Sequence, residues 1–180
     1  AQATSAANTN RQSATAKKRQ QLQTKVQQYL TQVGADNTVS VTFQNLAPVA
    51  GWQVAADPVY ASGSLSASAN GNTKMVAAST YKLYIAAMLF VYQFDFDSTS
   101  TAGFDNMIVN SANEFGESIL DEYGASTIDR YLATQGWPQV FVDGQAATTT
   151  SNSLANLLAD LQAGTGAFSD SSLRSWLLKD

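Results

Sequence analysis

The run from Tyr81 to Tyr92 constrains this chain more than any other stretch, because nearly every position in it is apolar or aromatic. A helix without a polar stripe has no face to give to water and belongs in the middle of a domain. It falls short of the roughly 20 apolar residues that a bilayer-spanning helix needs, so the chain must build a core around it. Polar residues at its start then call for a reason. Ser79 stands at the helix start with Thr80 beside it, and Lys82 follows Ser79 at i, i+3, which puts the two side chains on one face.

Burial disfavours an ammonium, and a lysine so placed can take a proton from a nearby hydroxyl. A serine beside such a lysine makes an acylating nucleophile without histidine. The plainer reading is a helix cap at Ser79 and a lysine whose head reaches back to solvent. Composition narrows the chemistry. The 180 residues contain no histidine and no cysteine. Ser-His-Asp and Cys-His catalysis, disulfides and the usual zinc sites are thereby excluded. A net charge of −4, with 13% of residues charged, leaves no electrostatic footprint for a nucleic-acid partner. Asp95 and Asp97 have no third ligand near them in sequence, so a solvated turn is expected there and no metal.

Residues 1–15 are polar and low in complexity, and are expected to be disordered. They look like the mature end left after an export signal is removed, which points to an extracellular or cell-envelope location. In the region 16–74, a helix over 17–33 carries Leu22, Val26, Tyr29, Leu30 and Val33 and stops at Gly34. A half-buried strand over 38–44 alternates Val39, Val41 and Phe43 with polar residues. Weaker strands are expected over 51–55 and 59–61, then a loop over 62–73. The region 75–180 reads as helical throughout. After a turn over 95–103, one helix ends at Gly124, Ser126 caps the next, and others start at Ser151 or Ser153 and at Ser169. Glu114, Glu117 and Asp121 share a helical face expected to be solvated. The class is α+β, an all-helical region beside an antiparallel sheet with too few strands to stand alone.

Ser79-Thr-Tyr-Lys82 on a buried helix, followed by Ser111-Ala-Asn113 between two helical pieces, resembles a known signature. It is that of the penicillin-recognising serine enzymes, the class A-like β-lactamases and D-alanyl-D-alanine peptidases, with motifs S-x-x-K, S-x-N and K-T-G. The runs Met107-Ile-Val-Asn-Ser-Ala-Asn-Glu114 and Tyr123-Gly-Ala-Ser126 are similar to that family's helical domain, and the likeness covers roughly residues 17–180. The resemblance implies a β-lactamase/transpeptidase-like fold and an acyl-enzyme formed with a β-lactam or a peptidoglycan stem peptide, with no cofactor. Ser79 would be the acylated nucleophile and Lys82 its proton acceptor. Ser111 would relay the proton to the leaving nitrogen, and Asn113 would bind the substrate's amide side chain. The Ser79 N–H would form half of the oxyanion hole. Ser68-Ala-Asn70 also matches S-x-N, but it precedes the nucleophile in a Gly/Asn-rich run and reads as loop.

Two departures from the family shape the expectation. No K-T-G follows, which implies an N-terminal part whose complementary C-terminal polypeptide carries a K-[ST]-G strand. Trp176 and Leu177 would then pack against that polypeptide. The family's deacylating Ω-loop glutamate has no counterpart, since Asp143 is the only carboxylate between Trp137 and Ser151, and the interval from Ser79 to Ser111 is short. An acyl-enzyme that forms and lingers is expected. The alternative is a non-catalytic cell-wall binding module that keeps the fold. A plain helical interaction domain is disfavoured, because burying an unpaired lysine is costly.

Overall fold

The computed structural model describes residues 2–46, 51, 56–137 and 140–178. Among them the chain is mixed α+β, with seven α-helices and two small antiparallel sheets, and it divides into units Ala1–Thr73 and Lys74–Asp180.

The first unit is one helix on one two-stranded sheet. Helix α1 (Gln2–Val33) extends over the segment expected to be disordered, although residues 7–14 bury nothing. Alanine and glutamine are good helix formers, and no Gly or Pro interrupts the run. Leu22, Val26 and Leu30 turn inward, whereas Tyr29 is 65% exposed and leaves the expected apolar face. Strands β1 (Val41–Gln44) and β2 (Ser66–Ala69) pair from Val41 with Ala69 to Gln44 with Ser66. Glutamines join α1 to β2: Ser66 N–H donates to Gln23 Oε1 at 3.0 Å and Gln27 Nε2 to the Ser68 carbonyl at 2.9 Å.

Three expectations change here. β2 falls inside the run read as loop, because Ser-Ala-Ser-Ala carries no apolar alternation and only pairing with β1 makes it a strand. The strand expected over 59–61 is a 3-10 turn, Pro58–Tyr60, in which Pro58 presets φ and Asp57 accepts from the Val59 N–H at 2.9 Å. Of the strand expected over 51–55, residues 52–55 lie outside the described residues. The second S-x-N match is structural. Ser68 belongs to β2, and Asn70 clasps the carbonyls of Gly34 and Val39 at 2.8 Å each.

The second unit is organised around helix α2 (Tyr81–Val91), in which every residue from Tyr84 to Phe90 is buried. Helices α3 (Ser98–Val109), α4 (Glu114–Tyr123), α5 (Ala125–Thr134), α6 (Ser151–Ala163) and α7 (Ser171–Leu177) complete the unit. α3 begins inside the expected turn because Asp97 caps it, accepting from the Ser100 N–H at 2.7 Å. Asp97 is thus a cap rather than half of a carboxylate pair. Ser126 is already inside α5, which starts from Gly124. Thr150 caps α6 and Asp170 caps α7, taking the places expected of Ser151 or Ser153 and of Ser169. Trp176 and Leu177 are used within the unit. The Trp176 ring lies 4.4 Å from that of Phe104, its indole N–H donates to Asp105 at 2.6 Å, and Leu177 is buried.

A short sheet sets the entrance to α2. Strand β3 (Met75–Val76) pairs with β4 (Thr148–Thr149), and the Ala77 N–H donates to the Ala147 carbonyl at 2.8 Å. The segment before β4 is pinned at its other end by α5, where Asp129 Oδ1 accepts from the N–H groups of Val140 at 2.9 Å and Phe141 at 3.1 Å. Residues 140–149 therefore form a fixed wall rather than a free loop.

Candidate active site

Between β3 and α2 the chain makes a 3-10 turn, Ala78–Thr80, entered through Ala78 at φ +45°. Ser79 sits in that turn, exposed, ahead of the first α-helical residue. It is no cap: neither its hydroxyl nor its N–H makes a hydrogen bond among the described residues. Lys82, one turn on, is 3% exposed, so the reading in which it reaches solvent fails. Its Nζ donates to the carbonyl of Ser111 and, at 3.1 Å, to the Ser111 hydroxyl, and lies 5.6 Å from the centre of the Tyr81 ring.

Ser111 reaches Lys82 through an unusual backbone. α3 closes on its C-cap Asn110, and Ser111 takes the left-handed conformation, φ +57°, that a glycine usually supplies after a helix. The reversal presents both Ser111 oxygens to the Lys82 Nζ. Asn113 follows as the residue preceding α4, with no side-chain cap hydrogen bond, and its amide makes no hydrogen bond among the described residues.

Ser79 and Asn113 line one cavity of about 450 Å³, together with Tyr81, Glu117, Phe141 and Ala147. That volume suits a small organic molecule. Tyr81 is held edge-on to Phe141 at 6.1 Å between ring centres. It packs on α4 at Gly116, where a Cβ would stand 3.4 Å from the Tyr81 hydroxyl, an ordinary contact, and more tightly at 3.3 Å from Met107 Sδ. Burial raises the Tyr81 phenol above its ordinary pKa, and the Glu117 carboxylate raises it further. Deeper in, burial also raises Tyr84, while hydrogen bonds with Thr149 and Ser153 pull it the other way.

The four residues singled out from sequence thus fall into two pairs. Lys82 and Ser111, 29 residues apart, are in direct contact. Ser79 and Asn113 share the cavity. No hydrogen bond joins Ser79 to Lys82 among the described residues. Asp143, the carboxylate of the 137–151 interval, is exposed in a turn and does not line the cavity. Sequence reasoning missed Tyr81 and Phe141 as walls, Asp129 as the anchor of the wall, and Glu117 as a lining residue. A hydroxyl, a buried lysine, a second hydroxyl and a free amide are the parts that acyl transfer needs in the absence of histidine. No family model matches this chain, and neither does any curated protein or solved structure.

Proposed function

We propose that the chain is the nucleophile-bearing part of an exported serine hydrolase of β-lactamase-like fold, acting on a β-lactam or a peptidoglycan stem peptide. The observation that carries this reading is the Lys82–Ser111 contact, which links the S-x-x-K and S-x-N motifs, while Ser79 and Asn113 of the same two motifs line one cavity. Ser79 Oγ attacks the substrate carbonyl as its proton passes to the Lys82 amine. Collapse of the tetrahedral intermediate breaks the C–N bond, and the Ser111 hydroxyl hands the proton from Lys82 to the leaving nitrogen. Water later cleaves the ester and restores Ser79. The Ser79 N–H, free of other bonds, is available to the developing oxyanion, and Asn113 is available to the substrate's amide.

Residues 1–180 contain no Lys-Ser-Gly or Lys-Thr-Gly. A complementary polypeptide bearing that strand would supply the second oxyanion donor. The position of Asp143 away from the cavity supports slow deacylation.

A non-catalytic binding module is the second reading, favoured by the missing hydrogen bond between Ser79 and Lys82. Intact mass spectrometry before and after incubation with benzylpenicillin separates the two, and the untreated spectrum also reports any accompanying polypeptide. A mass gain of one penicillin, absent in Ser79→Ala, is the expected result. Lys82→Met keeps the apolar stem and is expected to slow acylation by about 10²–10⁴-fold, the worth of a positioned base. Neither adduct nor penicillin consumption, with both polypeptides present, would favour the binding module.

A further inference from the structure

A second cavity, of about 430 Å³, lies between α3 and α7 and shares no lining residue with the one beside Ser79. Ala102, Asp105, Asn106 and Val109 line it at i, i+3, i+4 and i+7, so they form one face of α3. Trp176 joins them from α7. Its ring is held in place, 4.4 Å from that of Phe104 and 4.7 Å from that of Phe96 between centres, yet the residue stays partly exposed.

The polar side chains of this cavity are only half used among the described residues. Asp105 spends Oδ1 on the Trp176 indole N–H and keeps Oδ2. Asn106 Oδ1 accepts from Asn110 Nδ2 at 2.8 Å, which leaves the Asn106 Nδ2 donor and the Asn110 Oδ1 acceptor. Singly, each has a plain explanation: an acceptor for an indole, or an i, i+4 pair on a helix surface. Those explanations do not cover why they gather in one concavity beside an aromatic platform. The inventory of free groups discriminates among ligands. An ammonium offers donors alone and leaves the Asn106 amide unmatched. An anion meets the Asp105 carboxylate. A wholly apolar molecule covers all three groups and pairs none of them. A neutral ring with C–H groups on its face and hydroxyls at its rim matches every part, because a hydroxyl both donates and accepts.

We infer that the α3–α7 cavity binds a neutral saccharide, its pyranose face against Trp176 and its hydroxyls on Asp105, Asn106 and Asn110. Nothing in this requires Ser79 to be acylated, so the site stands apart from the hydrolase reading. Asp105, Asn106 and Asn110 are exposed, and the affinity for a single sugar unit is accordingly weak.

The experiment is an NMR titration of the chain, with any accompanying polypeptide, read at the Trp176 indole N–H and the Asn106 side-chain amide. The probes are the methyl glycosides of glucose, galactose, mannose and N-acetylglucosamine. At least one is expected to shift both signals to saturation. Asn106→Ala, at an exposed helical position where alanine favours the helix, is expected to weaken that binding roughly three- to tenfold, the worth of one hydrogen bond. Trp176→Phe keeps a ring against Phe104 and is expected to weaken it as well. The uronide of the sugar that binds adds a carboxylate and is expected to bind roughly two- to fivefold more weakly, the scale of a solvent-screened charge pair. Asp105→Asn keeps an acceptor for the indole and is expected to close that gap. No shift with any of the four glycosides would overturn the assignment. So would sugar binding that neither Asn106→Ala nor Trp176→Phe weakens, which is adhesion to the surface only. Tetramethylammonium bound more tightly than every glycoside would reassign the cavity to a cation, and a uronide bound as well as its neutral sugar would overturn the selection for neutral rings.

Discussion

Ser111 holds a conformation that its own side chain does not favour, and what it gains is a position on Lys82. A non-glycine residue at φ +57° sits close to its own carbonyl and costs about 1–2 kcal/mol relative to the right-handed region. Such strain persists where surrounding contacts hold it, and it gathers at functional sites. Here the holding contact is the buried Nζ of Lys82, which takes both Ser111 oxygens. Comparing Ser111→Ala with Ser111→Gly isolates the strain, because both remove the hydroxyl and only the second frees the backbone. The glycine variant is expected to unfold at higher denaturant, by about 1 kcal/mol relative to alanine. On the proposed mechanism, in which Ser111 carries the proton to the leaving nitrogen, both variants are expected to lose penicillin acylation by about 10²-fold or more. Equal stability of the two variants would mean that the left-handed turn is not maintained in solution.

Among the elements, α5 matters to the site through one side chain that never touches the cavity. Val140 and Phe141 are almost fully buried, and among the described residues their N–H groups donate to the carboxylate of Asp129 and to no strand or helix. Asp129→Ala leaves two buried donors unsatisfied and is expected to cost about 1–3 kcal/mol by chemical denaturation. Asp129→Asn keeps one acceptor oxygen and is expected to recover part of that loss. A fully neutral Asp129→Ala would show that the wall of residues 140–149 is held by β3 pairing alone.

Elements differ in how far sequence reveals them. α2 was legible because a helix apolar on every side has one possible location, and the S-x-x-K and S-x-N spacing drew attention to Lys82 and Ser111, which the structure brings into contact. β2 was not, because Ser-Ala-Ser-Ala is a strand only by virtue of β1. The start of α3 was hidden in a Ser/Thr run that Asp97 alone converts from turn to helix. Glu117 was hidden for a geometric reason. Glu114, Glu117 and Asp121 recur at helical spacing, and which of them meets a cavity depends on how closely α4 approaches Tyr81 at Gly116. That approach is tertiary and leaves no mark on the spacing.

Across the whole molecule, burial is unevenly shared between the two units. In the first, the buried hydrophobics among the described residues are Leu30, Val59, Leu65 and Ala67, whereas the second buries α2 and the aromatic cluster around Phe104. Stability is concentrated accordingly, and so is its response to alkali. Tyr81, Tyr84, Tyr123 and Tyr131 all belong to the second unit, and burial is the main cause that raises each phenol above its ordinary value near 10. Tyr131 is the extreme case, pushed up to about 12, with its hydroxyl lacking a hydrogen-bond partner among the described residues. Above pH 10 the unfolded chain gives up these protons while the folded chain retains them. The unfolded state then binds fewer protons, so stability falls as pH rises, and for Tyr131 the fall spans pH 10 to about 12. Tyr131→Phe removes one titrating group and a hydroxyl that no partner satisfies. It is expected to leave stability unchanged or higher at neutral pH, and to make the alkaline decline shallower. Hydrogen exchange locates the effect: amides of α2 and α5 lose protection across that range, and those in the second half of α1 change little. If the Tyr131→Phe decline is as steep as that of the wild type, the buried phenol is not what alkali attacks.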